Sequence, residues 1–160
     1  MGTKTEALAA QLEEKTRDAV TTIQKLSDAD WKKLTATEGW TVGVTAHHLA
    51  GGLTAVSGIV AGLVSGAPSR SGFTRAMLDQ MNAQHAREQA ECTRAETLSL
   101  FQTGAATASK MLRSLSDDQL AKSGAVFSDV PPMTAEQLIM RGLLSHIDEH
   151  MGSIRKTVGM

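Results

Sequence analysis

Apolar residues recur along this chain at intervals of three and four, with almost no two-residue alternation, so the pattern is helical nearly throughout. A first helix is predicted from about Thr5 to Leu26, with Leu8, Leu12, Ala19, Ile23 and Leu26 as its apolar stripe. Glu13, Glu14, Lys15, Arg17 and Asp18 face away from that stripe or flank it. Ser27-Asp-Ala-Asp-Trp31 reads as a turn with a short capped helical piece, because a serine oxygen can accept from first-turn amides. Thr41 is the predicted N-cap of a second long helix reaching about Ser65, with a seam of Leu49, Leu53, Val56, Val60 and Leu63 or Val64. Gly66 to Gly72 is a loop on composition.

The third helix is predicted from about Thr74 to Glu91, with a break near Cys92-Thr93. Thr93 and Glu96, at capping-box spacing, open a fourth that ends near Leu115. Ser116-Asp-Asp-Gln-Leu120 echoes Ser27-Asp-Ala-Asp-Trp31, each after a leucine that closes a helix. The echo is too short to establish a duplication. Lys122 to Met133, with Pro131-Pro132, is a predicted loop. Thr134 and Gln137 cap a last helix to about Thr157. Five helices, four of them long enough to form a core, predict an all-α, up-down four-helix bundle filling residues 1–160 as one domain.

Composition narrows the partners. With two Trp, three Phe and no Tyr, the core must come from Leu, Val, Ile, Ala and Met, which favours helices over a β-sandwich. A net charge of −1 gives no reason to expect nucleic acid or an anionic membrane as partner. Cys92 is the only cysteine, so no intrachain disulfide can form. The first twenty residues are charged and helical rather than a signal peptide, and a cytoplasmic protein is expected. Val42 to Val64 lacks Asp, Glu, Lys and Arg and approaches the length of a bilayer span. It nevertheless carries His47, His48, Ser57 and several glycines, with Glu38 before it and Arg70 the nearest positive charge after it. It is expected to be a buried helix of the bundle, and no membrane partner is expected.

The candidate chemistry is histidine. His146 and His150 stand four residues apart in Ser145-His-Ile-Asp-Glu-His-Met151, so both rings leave one side of a helix, roughly 40° apart. That is how one helix offers two nitrogens to one metal ion. Winding the helix at about 100° per residue gathers Ile139, Leu143, Ile147, Met151 and Ile154 on one arc and puts Arg141, Asp148 and Arg155 opposite. His150 falls inside the arc and His146 at its edge. Core histidines that hydrogen-bond their neighbours are the plain alternative. On the second helix His48 heads the row Gly52, Ala55, Ile59, which is small near the histidine and leaves space for a ligand. Adjacent residues diverge by about 100°, so one of the two neighbours can enter a given site. His48 is the expected one, with His47 at the surface or behind the ligands. His85, in Asn82-Ala-Gln-His-Ala-Arg87, is a fourth ligand, a pocket residue or a solvated helix histidine. Ile147 stands where a zincin has its general-base glutamate, and Glu149 comes one turn after His146 as a supporting carboxylate, so metalloprotease chemistry by that route is not expected.

Trp40-Thr-Val-Gly-Val-Thr-Ala-His-His-Leu-Ala-Gly51, a distant Leu143-Leu-Ser-His-Ile-Asp-Glu-His-Met-Gly152 and the helical order between them resemble the DinB-like superfamily of small metal-binding helical bundles. That superfamily includes the N-terminal domain of mycothiol-dependent maleylpyruvate isomerase and bacterial thiol S-transferases. The resemblance covers nearly the whole chain and implies His48, His146 and His150 as the ligands of one divalent metal ion. Zinc is foremost, with nickel or iron as alternatives, and water completes the shell. It also implies a homodimer, and Asp79-Gln-Met-Asn82 makes Asn82 a substrate contact. In the isomerase a second domain helps hold the thiol. Here the bundle takes up the 160 residues, so the expected cosubstrate is a low-molecular-weight thiol of unassigned kind.

Three neutral imidazoles leave a divalent ion its full charge and an exchangeable position. A thiol there is held as thiolate, and a water there has its pKa lowered towards neutrality. The expected function is thiol transfer or thiol-dependent isomerisation of a small molecule, with metal-dependent hydrolysis as the alternative. A non-catalytic metal- or small-molecule-binding stress protein is a further alternative, since Glu149, Asn82 and His85 are the few acid/base or polar groups expected near the site. A structural bundle with incidental histidines is the last.

Overall fold

The computed structural model describes residues 2–67 and 72–160; residues 68–71 of the predicted Gly66–Gly72 loop lie outside the described residues. Helix α1 spans Thr3–Lys25, a one-turn α2 spans Asp28–Trp31, and α3 runs Val42–Ser65. Helix α4 covers Arg75–Glu88, α5 covers Arg94–Ser114, and a second one-turn helix, α6, covers Asp117–Leu120. Two-residue strands β1 (Ser123–Gly124) and β2 (Met133–Thr134) pair antiparallel. Helix α7 (Ala135–Ile139) then passes through a π-helical stretch, Met140–Ser145, into α8 (His146–Val158).

The helices begin where their capping side chains dictate. Thr41 Oγ1 accepts from the Val44 amide at 3.1 Å, and Thr93 and Glu96 close a reciprocal box over the start of α5. Ser27 and Ser116 cap the two one-turn helices by accepting from the amides of Asp30 and Gln119. Thr134 and Gln137 do the same for α7. Each such cap contributes about 1 kcal/mol.

Helices α1, α5, α3 and α8 form a ring in which each packs on the next. Leu12, Ile23, Leu49, Leu53, Phe101, Leu112, Ile139, Leu143, Ile147 and Met151 are fully buried between them. The expected arc of the last helix is therefore all core, and so are Leu49, Leu53, Val60 and Val64 of the α3 seam. By length and composition α3 passes for a membrane span, but these apolar residues face into the bundle. Helix α4 stands apart, with no buried residue, against α3.

The predicted Lys122–Met133 loop is corrected at its ends. Ser123 pairs with Thr134 and Gly124 with Met133, and the Ala135 amide donates to the Lys122 carbonyl at 2.8 Å. Lys122 Nζ also donates to the Val64 carbonyl, fastening this segment to the end of α3. Two-residue strands have no alternation to read, so the sequence pattern could not announce them.

Close approach of α3 and α5 depends on Gly104. A Cβ at that position would lie 2.9 Å from Leu53 Cβ and 3.0 Å from the Ala50 carbonyl oxygen. Backbone on one side leaves little room to yield. Gly104→Ala is expected to destabilise the fold by about 1–3 kcal/mol through overpacking, read as a lower urea midpoint; an unchanged midpoint would contradict this packing.

Candidate metal centre

The centre is assembled from the first turns of α3, the start of α8 and the turn before α3. That turn is closed by the Thr35 amide donating to the Trp40 carbonyl and the Val42 amide to the Lys33 carbonyl, each at 2.8 Å. Gly39, at φ +71°, supplies the left-handed residue that lets Glu38 swing back over the last helix. Helix α3 then presents His47 and His48 on diverging rows, and α8 opens with His146, directly after the π-helical stretch.

His48, His146 and His150 converge. Their ring centroids are 5.2 Å apart for 48–146, 5.0 Å for 48–150 and 4.4 Å for 146–150. One nitrogen from each lies within 4.8 Å of the others, a spacing from which one ion with metal–nitrogen bonds of about 2.0–2.1 Å can gather all three. Gly52 stands against this group: a Cβ there would lie 3.6 Å from His146 Nε2, so any longer side chain would press on that nitrogen. The row that is small near His48 thus faces the site.

A carboxylate backs the cluster. Glu38, with 8% of its side chain exposed, accepts from His150 Nδ1 at 2.8 Å and from Ser153 Oγ at 2.6 Å. An ionised carboxylate accepts only, so Nδ1 of His150 carries the proton of this bond, which in a neutral ring puts the lone pair on Nε2. Burial alone would raise the Glu38 carboxyl, but hydrogen bonds from Ser153, Thr35 and His150 outweigh it and hold it below its ordinary value. His48 is pushed down to about 3 by burial and then by the neighbouring rings of His146, His150 and His85. His146 is pushed down to about 4 by burial and by His150. Both are neutral near pH 7, with lone pairs available. Trp40 sets its edge against His48 at 5.2 Å between ring centroids.

The other two histidines form their own pair. His47 Nδ1 and His85 Nε2 share a hydrogen bond of 2.9 Å, and the His85 ring lies 6.0 Å from that of His48. All five histidines of the chain therefore belong to one continuous set of rings. His47 is kept out of the convergent trio by its row. His85 is half-buried on the face of α4 that also carries half-buried Asn82. Glu149 is exposed, and the carboxylate bonded to the trio is Glu38. Sequence reasoning missed Glu38, Ser153 and Trp40 as site residues. Glu38, a charge just ahead of an uncharged helix, was the one available signal, and periodicity cannot place a loop residue.

A family model described as the mycothiol maleylpyruvate isomerase N-terminal domain matches residues 7–145. No functionally curated protein matches the chain. Among solved structures, the mycothiol-dependent maleylpyruvate isomerase superposes with a TM-score of 0.71 at 16% identity, over 94% of this chain and 60% of that one. An uncharacterised protein of Clostridium difficile 630 gives 0.77 at 14% identity, over 98% and 96% of the two chains. One from Escherichia coli UTI89 gives 0.76 at 15%, over 96% and 92%. At such identities these likenesses establish the fold.

Burial of neutral imidazoles sets the acid response of the metal-free protein. Unfolded histidines titrate near 6.5, whereas the folded values are about 3 for His48 and about 4 for His146. Between those limits the unfolded chain binds more protons, so stability rises with pH and is lost as pH falls below 6.5. Lowered carboxylates such as Glu38 act below the ordinary carboxylate value of 4.5, which leaves pH 4.5–6.5 to the imidazoles. The melting temperature of metal-free protein is expected to fall by roughly 5 °C or more from pH 7 to pH 5, and less in His48→Ala. A flat profile in calorimetry would contradict the burial.

Proposed function

The chain belongs to the mycothiol maleylpyruvate isomerase N-terminal domain family, and from that premise we propose that it is a divalent-metal-dependent enzyme of small-molecule thiol transfer or thiol-dependent isomerisation. The observation that carries this reading is the convergence of His48, His146 and His150, with nitrogens within 4.8 Å. The donor set fits a divalent ion: neutral nitrogens, a carboxylate holding one ring from behind, and a glycine keeping another nitrogen clear. Zinc suits such a set first, with nickel or iron as alternatives. When bound, the ion would favour the thiolate form of a thiol that reaches it.

The chain's own residues supply the rest. Glu38 and Ser153 fix the His150 ring, and the Trp40 edge limits rotation of His48. Cys92 is no candidate nucleophile: it is buried, and burial pushes its thiol up. The reacting sulfur therefore comes from a small molecule. Asn82 and His85 on α4 stand as its contacts, and Glu149 as an outer carboxylate. Thiolate chemistry also needs no strong general base beside the ion, whereas hydrolysis is better served by one. The carboxylate bonded to the trio, Glu38, is already engaged by His150 and Ser153, which favours the thiol reading over hydrolysis. The chain spans 60% of the isomerase it matches, so mycothiol and maleylpyruvate belong to that protein, and here thiol and electrophile are assigned by class. A homodimer completes the proposal.

Untagged protein is expected to hold one metal ion per chain by elemental analysis. His48→Ala, His146→Ala and His150→Ala should each abolish that stoichiometry, and His47→Ala should keep it. Saturating zinc should raise the melting temperature, because binding to the folded form alone adds about 2.7 kcal/mol at a hundredfold excess over Kd. Wild-type protein that takes up no zinc, nickel or iron would refute the metal site; metal-loaded protein that turns over no electrophile with any small thiol would refute the activity. Glu38→Gln should weaken metal affinity about 10–100-fold. Unaltered affinity in a zinc titration would remove Glu38 from the site.

A further inference from the structure

Three histidines suffice for the ion, and the pair of His47 and His85 is left over. Among the described residues, Nδ1 of His85 is the one buried side-chain nitrogen or oxygen without a hydrogen-bond partner. Buried polar atoms are nearly always satisfied, so an exception beside a ligand site asks what it is kept for. The opposite nitrogen, Nε2, is held by His47 Nδ1 at 2.9 Å. A neutral imidazole has one N–H and one lone pair. If His47 donates to Nε2, His85 must carry its own proton on Nδ1, as a donor with nothing to receive it.

We propose that the His47–His85 pair is a preset hydrogen-bond donor, in which His85 Nδ1–H receives the anionic acceptor group of the small molecule that enters the histidine trio. This rests on the metal reading above and deepens it by naming the contact that selects the ligand. Three observations bear on it. The His85 ring lies 6.0 Å from that of His48, so the ring that carries the unpartnered nitrogen borders the trio. Helix α4, which carries His85, has no buried residue, so it can pivot about the His47–His85 bond at little packing cost. Asn82, one turn earlier, shares the inward face with a second polar group. His47 acts here as a positioning residue: in the proposed arrangement it donates from Nδ1 to His85 Nε2 and so leaves the proton of its partner on Nδ1.

Side-chain mimicry separates this role from a structural one. The amide nitrogen of asparagine occupies the place of Nδ1, whereas the amide of glutamine reaches the place of Nε2, where its Oε1 can accept from His47. Cobalt(II)-loaded protein, with cobalt content measured first for each variant, is titrated with 2-mercaptoethanol and with azide, following the visible ligand-field and charge-transfer bands. His85→Gln keeps a partner for His47 and is expected to weaken at least one ligand about tenfold or more, the loss typical of a hydrogen bond to a charged group. His85→Asn is expected to stay within about threefold of wild type. His47→Ala should weaken the same ligand, since it frees the tautomer. Equal affinities of wild type and His85→Gln for both ligands, or equal losses in His85→Asn and His85→Gln, would overturn the inference while leaving the metal site standing. Failure of wild-type protein to take up cobalt would overturn both.

Discussion

Four imidazoles at one end of this bundle, those of His47, His48, His85 and His146, are held towards the uncharged form. Burial of a charged group without a partner costs far more than a bundle of this size can offset, so these four give up their protons instead. His48 and His146 do so to the extent of titrating near 3 and 4. The consequence is a set of lone pairs facing one another, with few donors to receive them. An apolar filling would make the same helices more stable. A sequence that gives up local stability in this way marks a site of function, and the proposed divalent ion would convert facing lone pairs into bonds.

Holding rings to within bonding distance requires rigid supports, and the fold provides them from several directions. The α3–α5 contact, tight enough that Gly104 has no room for a side chain, fixes the helix bearing His48. Helix α8 is braced from outside by Lys15 to Asp148 and Arg155 to Asp18, both reaching from α1. Such exposed ion pairs contribute little each; the buried residues Ile147, Met151 and Ile154 do most of the anchoring. Glu38 supplies the third support. Its turn, closed by two 2.8 Å backbone bonds and permitted by Gly39, carries a carboxylate onto the outer nitrogen of His150.

Much of this was legible because it is local. A capping threonine or serine announces itself by its own chemistry, and Thr41, Thr74, Thr93 and Thr134 each begin the helix expected of them. That only one of His47 and His48 enters the site followed from the angle between neighbours on a helix, and the small row of Gly52 and Ala55 below His48 pointed to which. The π-helical stretch at Met140–Ser145 was not legible, since a winding of 100° per residue has no means of showing an extra residue in one turn. The arc of Ile139, Leu143, Ile147, Met151 and Ile154 is nonetheless buried on both sides of that stretch, and His146, expected at its edge, joins the trio. Glu38 and the His47–His85 bond were hidden for a different reason: each joins segments far apart in sequence, through side chains whose meeting depends on the assembled bundle. Cys92 was legible only as an absence of disulfides; its burial made it inert.

The division of labour between helices follows from how tightly each is held. The three convergent nitrogens sit on α3 and α8, helices whose apolar faces are fully enclosed, as a coordination shell with narrow tolerances requires. His85 and Asn82 sit on α4, which encloses none of its residues and leaves Met77 and Met81 exposed. Segments with few buried contacts open at low free-energy cost. A bundle arranged this way holds the three rings of the proposed metal site constant while α4, on the side proposed to meet the incoming molecule, can adjust.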